Sequence, residues 1–259
     1  MEIRPIIIVI PDDAETPCPP ARTFGIGKET PLFARLSLIY GTAFFSFFGE
    51  ANMDIKPLLE KSTRDHSHLC PRQILGVRIG LAGMTALGFK TPPDQKQLLV
   101  ITETDGCFAD GLSAATSCTV GHRTLRVEDY GKVAATFVDT KTGRAVRVAP
   151  VLDIRQRAAE YAPDVARHYF AQMQAYQIMP DDEMFVFTEV QLAASIDSIV
   201  SRPGVRVECD VCGEEIMNER EVRTHGRTHG RTLCRTCAGA AYYHIPVSMA
   251  IFEKLSAQD

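Results

Sequence analysis

The chain has 259 residues, 45% of them hydrophobic and 23% charged, with a net charge of −4. That is enough to bury a real core without disulfides, and it excludes a collagen-like or wholly disordered chain. The acidic balance gives no footing for a general nucleic-acid binder.

Residues 1–52 read differently from the rest of the chain. Ile6 to Ile10 is an apolar run, Pro- and acid-rich chain leads to Pro20, and Leu36–Gly49 is an uncharged stretch of 14 residues. Fourteen is short of the ~18–20 that span a bilayer. Met53-Asp-Ile-Lys-Pro-Leu-Leu-Glu-Lys then looks like an ordinary protein start entering a helix. The expectation is that Met53 is the initiator and that 1–52 is an irregular extension.

From Met53 the pattern is regular. Helix is expected over 54–64, then a loop with His66, His68 and Cys70, then a second helix over 71–88 opened by Pro71, whose missing N–H costs nothing there. Gly76, Gly80 and Gly83 thin one face of that helix for close packing. Leu98–Thr104 reads as a buried strand, residues 109–117 as a short helix, and 132–139 with 144–149 as a hairpin turning at Thr140-Lys-Thr-Gly143. Residues 151–178 are expected to be helical with a break at Pro163, and 185–191 a strand. The expected fold class is α+β, with helices packed on a sheet over 53–203, a small four-cysteine zinc ribbon over 204–245 and a tail over 246–259.

Eight cysteines matter more by arrangement than by number. Cys209-x2-Cys212 and Cys234-x2-Cys237 are separated by 21 residues. Two such knuckles each aim two thiolates at one point, which is the pattern of a structural zinc site. A disulfide pair is the alternative. A zinc ribbon beside unpaired upstream cysteines points to a reducing compartment, with cytoplasm as the default. Arg223–Arg231 is a local basic loop in a ribbon of otherwise balanced charge, so neither nucleic acid nor membrane is expected as a partner.

Upstream, His66, His68 and Cys70 alternate along one side of an extended segment, a donor set suited to zinc or another borderline-soft metal. Cys70 also stands where the next helix begins, which favours its thiolate. Solvated histidines and a buried, inert cysteine are the alternative. Asp105, Cys107 and Asp110 crowd the carboxyl end of a strand, where ligand sites gather, and Cys118 follows one short helix later.

His66-x-His68-x-Cys70-Pro71 followed by Leu75-Gly76-x-Arg78 resembles the signature of the FmdE-like family, named for the E component of formylmethanofuran dehydrogenase. The likeness continues through Asp105-Gly106-Cys107-x-x-Asp110, Ser117-Cys118-Thr119-x-Gly121, Asp129-x-Gly131-Lys132 and the four ribbon cysteines, over about residues 54–243. Ser67 and Arg72 stand where the family more often has glycine. The resemblance implies an α+β core with a metal-capable cavity, a zinc ribbon and a homodimer, with the molybdenum or tungsten enzyme's other subunits as partners. It implies His66, His68 and Cys70 as ligands of a second transition metal, zinc among the candidates. Cys107 and Cys118 would approach from the strand side, Cys118 on the cofactor, while Asp105 and Asp110 orient ligands or act as a general base. Cys70, Asp105, Cys107 and Asp110 are then the catalytic candidates. No iron–sulfur cysteine run is present, so the chain does not carry the enzyme's redox chemistry alone. Metal trafficking or sensing without turnover, and a ribbon that docks a protein, are the competing functions.

Overall fold

The computed structural model describes residues 54–64, 68–94, 96–224 and 230–244. The Met53 start, the segment before it, His66 and the C-terminal tail lie outside these residues. The chain divides into two compact units: one of residues up to Asp139 with Ala145–Glu189, the other of Thr140–Arg144 with Val190 onward.

In the first unit, helices α1 (Lys56–Ser62) and α2 (Pro71–Ala86) precede strand β1 (Leu98–Thr102) and helix α3 (Cys107–Thr116). Strands β2 (Leu125–Val127), β3 (Ala135–Asp139) and β4 (Ala145–Pro150) come next, then helices α4 (Ile154–Tyr161), α5 (His168–Ile178) and α6 (Asp181–Met184), and strand β5 (Phe185–Val190). The five strands form one sheet in the order β2-β1-β3-β4-β5. β1 runs parallel to β2, with Val100 opposite Leu125, and antiparallel to β3, with Val100 opposite Phe137. β3 and β4 make the expected hairpin. The parallel pair needs a crossover, and α3 supplies it. The sheet is mixed and carries helices, which is the α+β class expected.

The core lies between the sheet and α2 and α3. Ile74, Val77 and Ile79 of α2 and Phe108 and Leu112 of α3 are wholly buried with Val100, Phe137 and Val148 of the sheet. Each such side chain contributes about 1.5–3 kcal/mol relative to exposure. The small residues of α2 and α3 let the two helices come close. A methyl group on Gly76 would overlap the Phe108 carbonyl oxygen and lie 3.0 Å from the Gly111 Cα. One on Gly111 would overlap the Gln73 carbonyl oxygen, and one on Gly83 the Phe137 ring. Gly80, one turn along α2, faces Ala115, one turn along α3. Contacts that advance together along both helices mean that α2 and α3 run parallel, so their N-termini lie side by side.

Arg78, in the middle of α2, ties down the end of α5. Its guanidinium donates to the Tyr176 carbonyl at 2.8 Å, the Met179 carbonyl at 2.6 Å and the Asp181 carboxylate at 2.7 Å. The two carbonyls are among the acceptors that a helix C-terminus leaves unpaired. Arg78→Met is expected to lower unfolding free energy by about 2–4 kcal/mol, because the partly buried acceptors lose a charged donor; chemical denaturation would measure it, and a loss under about 0.5 kcal/mol would contradict this role.

The helical stretch expected over 151–178 with a break at Pro163 is two helices, α4 and α5, separated at 162–167. The structure departs from expectation in two places. β2 was not expected: it is three residues long, and its place comes from pairing with β1 and from the Thr124 carbonyl accepting the Val100 N–H at 2.8 Å. α3 starts at Cys107, two residues earlier than expected, because Gly106 at φ +66 and ψ −148 takes the N-cap position in a conformation open to glycine alone.

The second unit holds helix α7 (Ile196–Val200) and two small antiparallel ladders. β6 (Arg206–Glu208) pairs with β7 (Glu215–Met217), and β8 (Val222–Thr224) pairs with β9 (Arg231–Leu233). Its apolar cluster is small: Cys209, Ile216 and Leu233, flanked by Val207, Cys234 and Cys237. Among the described residues, no helix is long and apolar enough to cross a membrane.

Candidate metal centre and cysteine pair

The four ribbon cysteines converge. The first knuckle fills the turn between β6 and β7, where Gly213 at φ +73 lets its N–H reach the Cys209 carbonyl at 2.9 Å. The second comes directly after β9, and the Ala238 N–H closes it on the Cys234 carbonyl at 2.9 Å. The Asp210 N–H donates to the Thr232 carbonyl at 2.8 Å, and the Thr232 N–H returns to the Asp210 carboxylate at 2.6 Å, so the two knuckles are laced together. The sulfur atoms of Cys209, Cys212, Cys234 and Cys237 all lie within 4.8 Å of one another, with Cys212 and Cys234 at 3.9 Å. Tetrahedral zinc with Zn–S bonds of ~2.3 Å sets its sulfurs about 3.8 Å apart. The donor set therefore fits a four-thiolate metal ion.

Their electrostatics anticipate a cation. The Cys212 and Cys234 amides hold the Cys209 thiol down to about 6. Cys212, although the Glu214 amide favours its thiolate, is pushed up by burial and by the Cys209 and Cys234 sulfurs. Cys237 is pushed up to about 12, first by the Cys234 thiol and then by burial. At pH 7 Cys209 is thus mainly thiolate, while Cys212 and Cys237 carry protons that a metal ion must displace. Apparent metal affinity is expected to rise at least about 100-fold per pH unit near neutrality, ten for each of two protons released. Competition against a chromophoric chelator between pH 6 and 8 would show it; a flat profile would contradict these protonation states.

The upstream set is arranged differently. Cys70 is the N-cap of α2 and Cys107 the first residue of α3. Gln73 fixes the cap, accepting the Cys70 N–H at 2.9 Å while donating to the Ser62 carbonyl at 3.0 Å. Because α2 and α3 run parallel, the two cysteines are neighbours: burial raises the Cys107 thiol, and the nearby Cys70 sulfur raises it further, with Asp110 adding a smaller push. Both cysteines are partly exposed.

The other predicted residues spread out. Asp105 is exposed in the turn before Gly106, and Asp110 lies in the first turn of α3. His68 is exposed, and His66 lies outside the described residues. Among the described residues, the ribbon cysteines are the only His, Cys, Asp or Glu group of three or more that converges on one point. Cys118 does not join Cys107. The ten residues of α3 separate them, a rise of ~15 Å. Cys118 is instead a core residue, 4% exposed, with its thiol donating to the Leu98 carbonyl at 3.5 Å and pushed up by burial. A groove of about 570 Å3 is lined by Lys132, Arg147, Arg155, Gln156 and the apolar residues of Val133–Ala134, Ala149–Leu152 and Ile154, and contains none of the cysteines.

The Cys70–Cys107 meeting had a trace in the sequence. Gly76 and Gly80 on one helix, and Gly111 and Ala115 on the other, share the i, i+4 spacing of a close-packed seam. Each seam begins within two turns of its cysteine.

Comparison with known proteins agrees with the motifs. The family model described as "FmdE, Molybdenum formylmethanofuran dehydrogenase operon" matches residues 66–206, more than half of the chain. A protein of Archaeoglobus fulgidus named a probable S-adenosyl-L-methionine-binding protein is 29% identical over 227 residues, which cover 78% of this chain and 58% of that one. The chain thus spans little more than half the length of that relative. A tungsten formylmethanofuran dehydrogenase FmdE-like protein from Syntrophus aciditrophicus is 22% identical, covering 73% of this chain and 94% of that one, with a TM-score of 0.47. With its His-x-His-x-Cys-Pro start, its Asp-Gly-Cys turn and its four-cysteine cluster in order along one chain, this protein belongs to the FmdE family.

Proposed function

We propose that this is a metal-binding FmdE-family protein with two unlike metal sites: a structural zinc in the ribbon and a second ion at the Cys70–Cys107 pair. The observation that supports the second site is the placement of these two cysteines at the adjoining starts of two parallel, close-packed helices. Burial and the neighbouring Cys70 sulfur keep a proton on Cys107, which a bound metal would displace. His68, two residues before Cys70, and His66 before it are the nitrogen ligands of this reading, with Asp110 and Asp105 orienting them. Cys70, Cys107 and one or both histidines would hold the ion; where one position stayed open to a substrate, the ion would supply Lewis-acid chemistry toward a carbonyl or water. The chain's own part is to hold two thiolates at fixed separation, since Gln73 locks one end and the glycine seam the other. Action beside the molybdenum or tungsten enzyme's subunits, and assembly as a homodimer, belong to the same proposal and rest on family membership.

Cobalt substitution tests it. Metal-free full-length chain is expected to take up two Co2+ per chain with thiolate-to-metal charge-transfer absorption at each step. In Cys70→Ser/Cys107→Ser only the ribbon's share of that absorption should remain. Identical titrations of the two proteins would remove the second site and leave the ribbon alone.

A further inference from the structure

We propose that Cys70 and Cys107 form a redox-active dithiol that closes reversibly to a disulfide when a peroxide is present. This goes beyond the metal reading and does not depend on it.

Three features of the fold favour closure. The two cysteines stand at the starts of two parallel helices packed backbone against backbone, although 36 residues of chain lie between them. Cys70 has extended backbone, φ −131 and ψ 159, ahead of its helix, so its side chain is not locked within a helical turn. The helices that present the thiols cannot drift apart, because Gly76 and Gly111 bring backbone against backbone within two turns of both sulfurs. The second thiol is therefore held where the first would need it, and bond formation becomes an intramolecular step. Partial exposure of both cysteines admits a small oxidant. Cys118 is the internal contrast: buried, bonded to a main-chain carbonyl and at the far end of α3, it has neither access nor a partner sulfur.

The chemistry balances with hydrogen peroxide as oxidant. One thiolate attacks a peroxide oxygen, the O–O bond breaks, and a sulfenic acid and one water result once the leaving hydroxide takes a proton. The other thiol then attacks the sulfenic sulfur, an S–S bond forms and a second water leaves. Two electrons pass from the sulfur pair to the peroxide. Thiol–disulfide exchange with a small dithiol reverses it.

The test uses the full chain with its ribbon metal-loaded. It is treated with a few equivalents of hydrogen peroxide, alkylated with N-ethylmaleimide, digested and mapped by mass spectrometry. The expected product is a cross-link between the Cys70 and Cys107 peptides, lighter by two hydrogens than the pair, absent after dithiothreitol and unaffected by Cys118→Ser. Cys70→Ser is expected to leave a sulfenic acid on Cys107 that dimedone traps. A second readout needs no variant: oxidation should raise the thermal midpoint of the wild-type protein by several degrees, because the new loop restrains the unfolded chain. Both cysteines recovered as alkylated thiols, or as sulfinic acids without a cross-link, would overturn the proposal. Metal content, measured on the same reduced samples, reports separately on the metal reading.

Discussion

Gly111→Ala is expected to destabilise the first unit by at least about 3 kcal/mol, the upper end of ordinary overpacking, as read by chemical denaturation. A single methyl group is small, yet at this position it has no space to enter. It would overlap the Gln73 carbonyl oxygen and crowd the Val77 amide at 2.8 Å and the Gly76 Cα at 2.9 Å, all three of them backbone of α2. A side chain in its way could change rotamer, whereas a helix backbone yields only if the whole helix shifts. Such a shift would pull Ile74, Val77 and Ile79 from their wholly buried positions. Gly111→Ala should also part the Cys70 and Cys107 thiols, because the same seam sets their separation. Gly121→Ala is the control: no heavy atom lies within 4 Å of its added methyl. Equal stability in Gly111→Ala and wild type would mean that α2 and α3 do not approach as described.

Removing the ribbon's metal, or replacing Cys209 with Ser, is expected to unfold the second unit's ladders and leave the first unit folded. Three buried residues and three half-buried ones are too small a core for four strands of three residues each. On the zinc reading the missing free energy would come from the metal, about 10–16 kcal/mol for a structural zinc at neutral pH. Cys209 is the most telling position, since its sulfur also accepts the Cys234 N–H at 3.3 Å and so joins the second knuckle to the first. Hydrogen exchange would read both units at once. With chelator, amides of 206–217 and 231–238 should lose protection while those of 71–86 and 98–102 keep it. Ladders still protected after complete metal removal would contradict this dependence on the metal.

The ribbon was legible because its ligand spacing is local: each knuckle needs only one tight turn and two thiols. The hairpin at 140–143 and the glycine face of α2 were legible for the same reason. What the sequence hid depends on partners distant in the chain. β2 has three residues and exists because β1 is beside it. The expectation that Cys118 approaches the same site as Cys107 is not met, because α3 carries Cys118 a helix length away into the core. The resemblance alone brought Cys107 toward Cys70; the physical reason, that α2 and α3 run parallel, is a fact of packing that neither segment shows taken alone. Arg78 belonged to the family motif, yet its bonds go to the end of α5, about a hundred residues onward.

The claim that the chain carries two unlike metal sites is tested most directly by elemental analysis of the purified full-length protein beside two double variants. Two metal ions per chain are predicted in the wild type, one in Cys70→Ser/Cys107→Ser and one in Cys212→Ser/Cys234→Ser. One ion in the wild type and in the core variant, with none in the ribbon variant, would contradict it.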